Sequence, residues 1–354
     1  MGSLLLYISA FLYSGLLAYY YQNNVRRSSL FNEICWAMLI MLFPIFLGIF
    51  RYGIGIDYEN YLMLFEKFHK TSWANFAEDT FSFEYINKAI ADIGYFITGD
   101  VYGVFAVYLI LTLVLFELSL INFKDIISLP IATAVLLLLM YSMTYNIVRQ
   151  SLAVSVVFFS FKFVRENKFL LYTIGCLVAT AIHSSAIIAL PLFFLKEDNG
   201  VINSKVVRYI VLVLPLAISI LTEIFSSIFL FERYFDNYTQ EETSVIVSYI
   251  LKIPILFPVL LNYKYFSRNR SAKFICLLFF MELLLLYTAS TYKWAFRLSY
   301  YSFFGQVLAV GILTKKQKVN SDFYTIFFIV WYLIYFYVLF FLWGRDAIFP
   351  YTHL

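Results

Sequence analysis

Charge is scarce in this chain. Lys, Arg, Asp and Glu make up 14% of 354 residues, where a soluble globule carries about a quarter. Set beside 62% hydrophobic residues, that shortage excludes a soluble fold. His69, His183 and His353 are the only histidines and lack ligand spacing, and Asp57 with Glu59 makes a poor cation site, so no metal and no other cofactor is expected. Cys35, Cys176 and Cys276 fall in apolar runs without paired spacing and read as small buried hydrophobes. Glycine-rich phosphate loops and Ser-His-Asp nucleophile signatures are absent. So are linkers, charge blocks and repeats, which leaves one membrane domain over residues 1–354 as the expectation. A basic excess of 26 over 22 is too small to indicate nucleic acid.

What is there is apolar length. Stretches near 3–21, 30–50, 101–121, 126–144, 148–164, 169–195, 206–231, 245–263, 274–291, 298–314 and 322–343 approach the length a bilayer requires. No basic leader precedes the first, so a retained helix is expected. Aromatics reach 21%, which suits lipid-facing helices and interfacial belts. Residues 85–98 differ: Tyr85, Ile86, Ala89, Ile90, Ile93, Phe96 and Ile97 recur at helical spacing, and Asn87, Lys88 and Asp92 are expected to face away. That pattern predicts an amphipathic helix in the interface, within an extracytoplasmic loop over 51–100.

Orientation follows from the basic loops. Arg26-Arg27, Lys162 to Lys168, Lys264 to Lys273 and Lys315 to Lys318 all become cytoplasmic only if 169–195 crosses twice, as two short helices meeting at His183. The fold class expected is therefore an all-α polytopic bundle of about twelve crossings. Its outer face keeps Arg51, Lys67, Lys70, Lys88, Arg149, Arg233, Lys293, Arg297 and Arg345. Glu117, Glu223, Lys252 and Glu282 fall inside spans, where pairing within the bundle is the expectation.

Four patches on that outer face carry chemistry. Arg51-Tyr52-Gly53-Ile54-Gly55-Ile56-Asp57-Tyr58-Glu59-Asn60-Tyr61 offers a forked phosphate donor, a carboxylate and rings suited to sugar, although an Arg51–Asp57 ion pair capping a loop would use the same residues. Asn146 to Ala153 sets Arg149 and Gln150 at a helix start, where a snorkelling arginine would look alike. His183 breaks two apolar segments, a common place for a structural histidine. Lys293 to Tyr301 sets Lys293 and Arg297 beside aromatics, as an interfacial anchor also does.

Taken in order, the patches resemble the EpsG family of Wzy-type polysaccharide polymerases. The residues that carry the likeness are Arg51 with Gly55, Asp57, Tyr58 and Tyr61, then Phe83-Glu84, Asn146 with Arg149-Gln150 and Ala153, Ile182-His183 with Ser185-Ala186, Arg297 with Tyr300 or Tyr301, and Pro350-Tyr351. Ile56 stands where many members have Thr, and after residue 200 only Arg297 and Pro350-Tyr351 align.

The resemblance implies a GT-C-like membrane glycosyltransferase that needs no metal. It would join undecaprenyl-diphosphate-linked oligosaccharide repeat units on the outer face of a bacterial cytoplasmic (inner) membrane, for an O-antigen, capsule or exopolysaccharide. Its partners would be that lipid-linked glycan, the bilayer, a chain-length regulator and a flippase. Arg149 and Arg297 would clamp the diphosphate, with Arg51 third and Arg345 fourth, assisted by Gln150 and by Tyr58 and Tyr61 on sugar. Asp57, His183 or Glu84 would take the acceptor proton, Asp57 ranking first and His183 second because its pKa needs no perturbation. A flippase or transporter of lipid-linked oligosaccharide, a membrane O-acyltransferase and an O-antigen ligase share much of this pattern. Related halves, a donor reachable from the cytoplasm or a lipid-core acceptor would distinguish them.

Overall fold

The computed structural model describes residues 2–25, 28–78, 85–197, 201, 205–225, 250–289, 294–316 and 320–353. Every regular element among them is a helix: α1 Gly2–Asn24, α2 Leu30–Ile40, α3 Leu42–Ile49, α4 Tyr58–Lys70, α5 Trp73–Glu78, α6 Tyr85–Thr98, α7 Val101–Ile121, α8 Leu129–Met140, α9 Met143–Asn146, α10 Val148–Arg165 and α11 Phe169–Ile182. A 3-10 helix Ser184–Leu195 follows, then α12 Lys205–Phe225, α13 Ile253–Leu261, α14 Tyr263–Arg268, α15 Arg270–Ala289, α16 Trp294–Ser299, α17 Phe304–Leu313 and α18 Ser321–Phe336, which continues as a π turn to Leu342. Arg26, Arg27, Glu84, Arg233, Lys293 and Lys318 lie outside the described residues, as does the side chain of Glu223.

Among the described residues, four helices are long and apolar enough to cross a bilayer: α1, α7, α15 and α18 with its π turn. The pair α2 and α3, bent by 58° at Met41, makes a fifth if counted as one span. The other apolar stretches are shorter, interrupted or carry charge. Residues 126–144 stop at Tyr141 and resume as the single turn α9, while α10 is continuous but carries Arg149, Lys162 and Arg165. The 169–195 stretch does double back at His183: Tyr172 on α11 donates its hydroxyl to the carbonyl of Ala189, at 2.6 Å.

Helix α7 is the axis of the bundle, with 72% of its apolar window buried. Asp100 caps it by accepting from the Tyr102 and Gly103 amides at 2.9 and 3.3 Å. Helix α6 lies hard against it, since a Cβ on Gly94 would stand 2.5 Å from the Cα of Val104. The orientation of α6 corrects the sequence expectation. Its polar residues point inward: Asn87 is fully buried, accepting from the Tyr108 hydroxyl at 2.6 Å and donating to the Ile182 carbonyl at 2.8 Å. Lys88 is buried too, bonded to Asp92 at 2.6 Å. Ile93, Phe96 and Ile97 face out, Phe96 at 91% exposure. A polar group at a membrane edge is better satisfied by protein partners than by lipid, whereas an apolar ring loses nothing there.

The expected pairing of Lys252 with a glutamate is present, while Glu117 meets a neutral hydroxyl. Glu117 accepts from the Thr133 hydroxyl at 2.9 Å, and Lys252 meets Glu282 at 2.5 Å. The last residues return to the loop after α3, where Tyr52 donates its amide to the Thr352 carbonyl at 3.0 Å and Arg51 bridges to His353.

Candidate functional site

Helix α9 ends because Ile147 takes φ −120° and ψ 54°, and α10 starts on the next residue without a side-chain cap. Arg149 and Gln150 therefore occupy the first turn of an 18-residue helix, where uncapped amides and the positive end of the helix dipole favour an anion. Gln150 is buried and donates its Nε2 to the main-chain carbonyl of Arg297, at 2.9 Å. This bond fixes α16 beside the start of α10.

His183 lies within electrostatic reach of both Arg149 and Arg297. Its Nδ1 contacts the Ser185 hydroxyl at 2.8 Å, and Ser185 contacts the Tyr301 hydroxyl, also at 2.8 Å. The imidazole is thus oriented by a chain of hydroxyls. Burial, and then the two guanidinium groups, push its pKa down to about 3. The expectation of an unperturbed histidine is corrected: two fixed cations and a half-dry setting oppose a third positive charge.

Tyr61, on α4, stands across the same space. Burial raises its pKa, the nearby Arg149 and Arg297 oppose that rise, and its hydroxyl meets the Arg149 backbone. Asp57, which opens α4, lies near enough to act on Tyr61 and accepts from the Asn60 side chain at 3.4 Å. Arg297 and Arg345 likewise both act on Tyr300. Arg345 sits 5.7 Å from the centre of the Phe296 ring, one residue from Arg297. It lines a narrow cleft of about 40 Å³ with Phe296, Ser299, Tyr300 and Asp346, and the Lys252–Glu282 pair also lines that cleft. Arg149, Arg297 and Arg345 therefore form one arc, with His183 and Tyr61 at one end and Tyr300 at the other.

Arg51 is not on that arc. It is 4% exposed, its guanidinium 4.0 Å from the centre of the Tyr145 ring and 5.2 Å from that of Phe105. Its Nε and Nη1 make no hydrogen bond, and it forms no ion pair with Asp57 or any other described residue. Burial lowers its pKa, against the nearby Tyr145, Tyr141, Tyr7 and Tyr58 phenols. Tyr58 is buried as well, 4% exposed and stacked on Phe105 at 5.5 Å. Aromatic faces compensate the guanidinium where no anion is placed. Glu84 lies outside the described residues.

Asn146 ties the loop to the tail. Its Oδ1 accepts from the Ile56 amide at 2.6 Å and its Nδ2 donates to the Asp346 carbonyl at 2.9 Å. Gly55, at φ +112°, passes so close that a Cβ would stand 3.1 Å from the Tyr145 carbonyl. Ser185 and Tyr301, the orienters of His183, lie 116 residues apart in the chain. Nothing in their spacing shows that they meet.

A family model described as EpsG family matches residues 33–353. No curated protein and no solved structure matches the chain.

Proposed function

The chain belongs to the EpsG family, whose members are Wzy-like polymerases, and from that premise we propose that it polymerises lipid-diphosphate-linked oligosaccharide repeat units. Family and apolar helices together make it a membrane protein of polysaccharide biosynthesis. The finer reading is a bundle of about twelve crossings with a GT-C-like build, working at the outer face of a bacterial cytoplasmic membrane on undecaprenyl diphosphate carriers.

The observation that carries this reading is His183 set between Arg149 and Arg297, opposite Tyr61 and beside the start of α10. Such a place takes a dianion. An acceptor hydroxyl attacks the anomeric carbon of the donor sugar, the bond from that carbon to the diphosphate oxygen breaks, and the diphosphate leaves with the electron pair. Arg149 and Arg297 bind the departing oxygens, Arg345 extends the clamp into the cleft, and the guanidinium groups supply the neutralisation a metal gives elsewhere. Asp57 takes the acceptor proton. His183 orients the diphosphate, and arrival of that anion offsets the two cations that hold its proton affinity down.

The test is complementation of a deletion strain with analysis of lipid-linked glycans. Single repeat units accumulating outside the membrane support polymerisation. Units trapped on the cytoplasmic leaflet would indicate a flippase.

A further inference from the structure

A wide groove among the described residues is remote from the arginine arc. It encloses about 590 Å³ between α1, α8 and α18. Helix α1 and the α18 span are the least buried of the crossing helices, at 33% and 28% of their windows, so the gap lies between the two spans that protein packing holds least.

Leu12, Leu16, Ile131 and Ile329 are among its apolar walls. Along α1 the lining runs from Ile8 to Asn23, a rise of about 22 Å at the helical repeat. That exceeds one leaflet's share of a hydrocarbon core about 30 Å thick. One end is polar. Lys315 donates its ammonium to the carbonyls of Lys124 and Ile127 at 2.8 and 2.9 Å, which fixes a cation at the mouth. Lys316 is exposed beside it, 5.8 Å from the centre of the Tyr19 ring. Asp322 also lines this end, so two cations face one carboxylate. The Lys315 side chain shares the end of the bundle that holds Lys124, Asp125 and Arg165. Arg149 and Arg165 sit at opposite ends of α10, so the mouth opens on the face opposite the arc, the face that lysine and arginine balance assigns to the cytoplasm.

We infer that this groove binds a glycerophospholipid with an anionic head group, its acyl chain between α1 and α18 and its phosphate on Lys315 and Lys316. A polyprenyl tail reaching in from the far leaflet has no use for two ammonium groups, and a soluble phosphate has none for the apolar wall. An amphiphile of the near leaflet satisfies both. The lipid completes the packing of α1 and α18.

The experiment is native mass spectrometry on the full chain extracted in mild detergent, followed by reloading with phosphatidylglycerol or phosphatidylethanolamine. The wild type is expected to keep one phosphatidylglycerol per chain. Lys316→Glu, at an exposed position, is expected to lower retention at least about tenfold, as reversal of a charge beside an anionic head group requires. Gly15→Leu provides an independent arm. A Cβ at Gly15 meets only the Pro130 carbonyl, at 3.7 Å, so the longer side chain enters the groove and displaces the lipid. No retained lipid, equal retention by both variants, equal retention of the zwitterionic lipid, or a polyprenyl phosphate in the groove would each overturn the inference.

Discussion

The Gln150 side-chain amide donates to the main-chain carbonyl of Arg297 at 2.9 Å, across 147 residues of sequence. Through this bond the first turn of α10 sets the position of α16 and brings the Arg297 and Arg149 side chains to one space. Gln150→Leu removes the donor while keeping apolar bulk. Polymer formation is expected to fall about ten- to a hundredfold, because a clamp displaced by an ångström loses its orientation, with the thermal midpoint little changed. Full activity would show that α16 is held by other contacts.

Arg149→Ala and Arg297→Ala are each expected to lower polymerisation by about a hundred- to a thousandfold, the range for removing one group that stabilises developing charge. Arg149→Lys is expected to recover little, since an ammonium lacks the planar fork. Arg51→Lys should lower the amount of folded protein more than the activity per folded molecule, as its cation lies against Tyr145 outside the arc. The readout is glycan length divided by membrane-inserted protein.

His183 gives a pH signature. Its folded-state pKa of about 3 lies below the ordinary value near 6.5, so the unfolded chain takes up the proton first. Stability is therefore full above about 6.5 and is lost as pH falls through that value toward 3. His183→Gln should flatten that part of the stability profile. In the free protein, the imidazole nitrogen resonances should stay in their neutral positions at pH 5, and inorganic pyrophosphate should shift them toward the protonated form. A titration near 6.5 without ligand would remove His183 from between the arginines.

The loop clamp makes a stability prediction. Gly55→Ala strains a backbone at φ +112° and brings a Cβ to 3.1 Å from the Tyr145 carbonyl, for an expected loss of about 1–3 kcal/mol. Asn146→Ala leaves the Ile56 amide without its acceptor and is expected to cost about 1–3 kcal/mol. Thermal unfolding in detergent measures both.

Lys252→Met leaves Glu282 buried without its cation and should destabilise by about 3–5 kcal/mol. The double variant Lys252→Met/Glu282→Leu should recover most of the loss. If the double variant remains as unstable as the single one, the pair is more than a buried ion pair.

Much of this was legible from residue order because a bilayer imposes simple rules. Apolar length marked α1, α7 and α15, and helical periodicity marked α6 to the residue. The break at His183 was legible too, since a parity of basic loops required the chain to turn there. The facing of α6 was not, because periodicity separates two faces without telling which one meets protein. The fate of Arg51 was equally hidden: its motif offers Asp57 as a neighbour, and only the fold supplies Tyr145 and Phe105 instead.

By itself the amino-acid sequence determined a membrane-embedded helical protein with arginines at scattered helix ends, since hydropathy and charge are local properties that add along a chain. Tertiary structure alone decided that Arg149, Arg297 and Arg345 share an arc while Arg51 does not, that Ser185 and Tyr301 orient His183, and that the tail closes over Gly55. Those outcomes depend on which side chains meet across hundreds of residues, and burial, hydrogen bonding and Coulomb energy take their values only at the distances the fold creates.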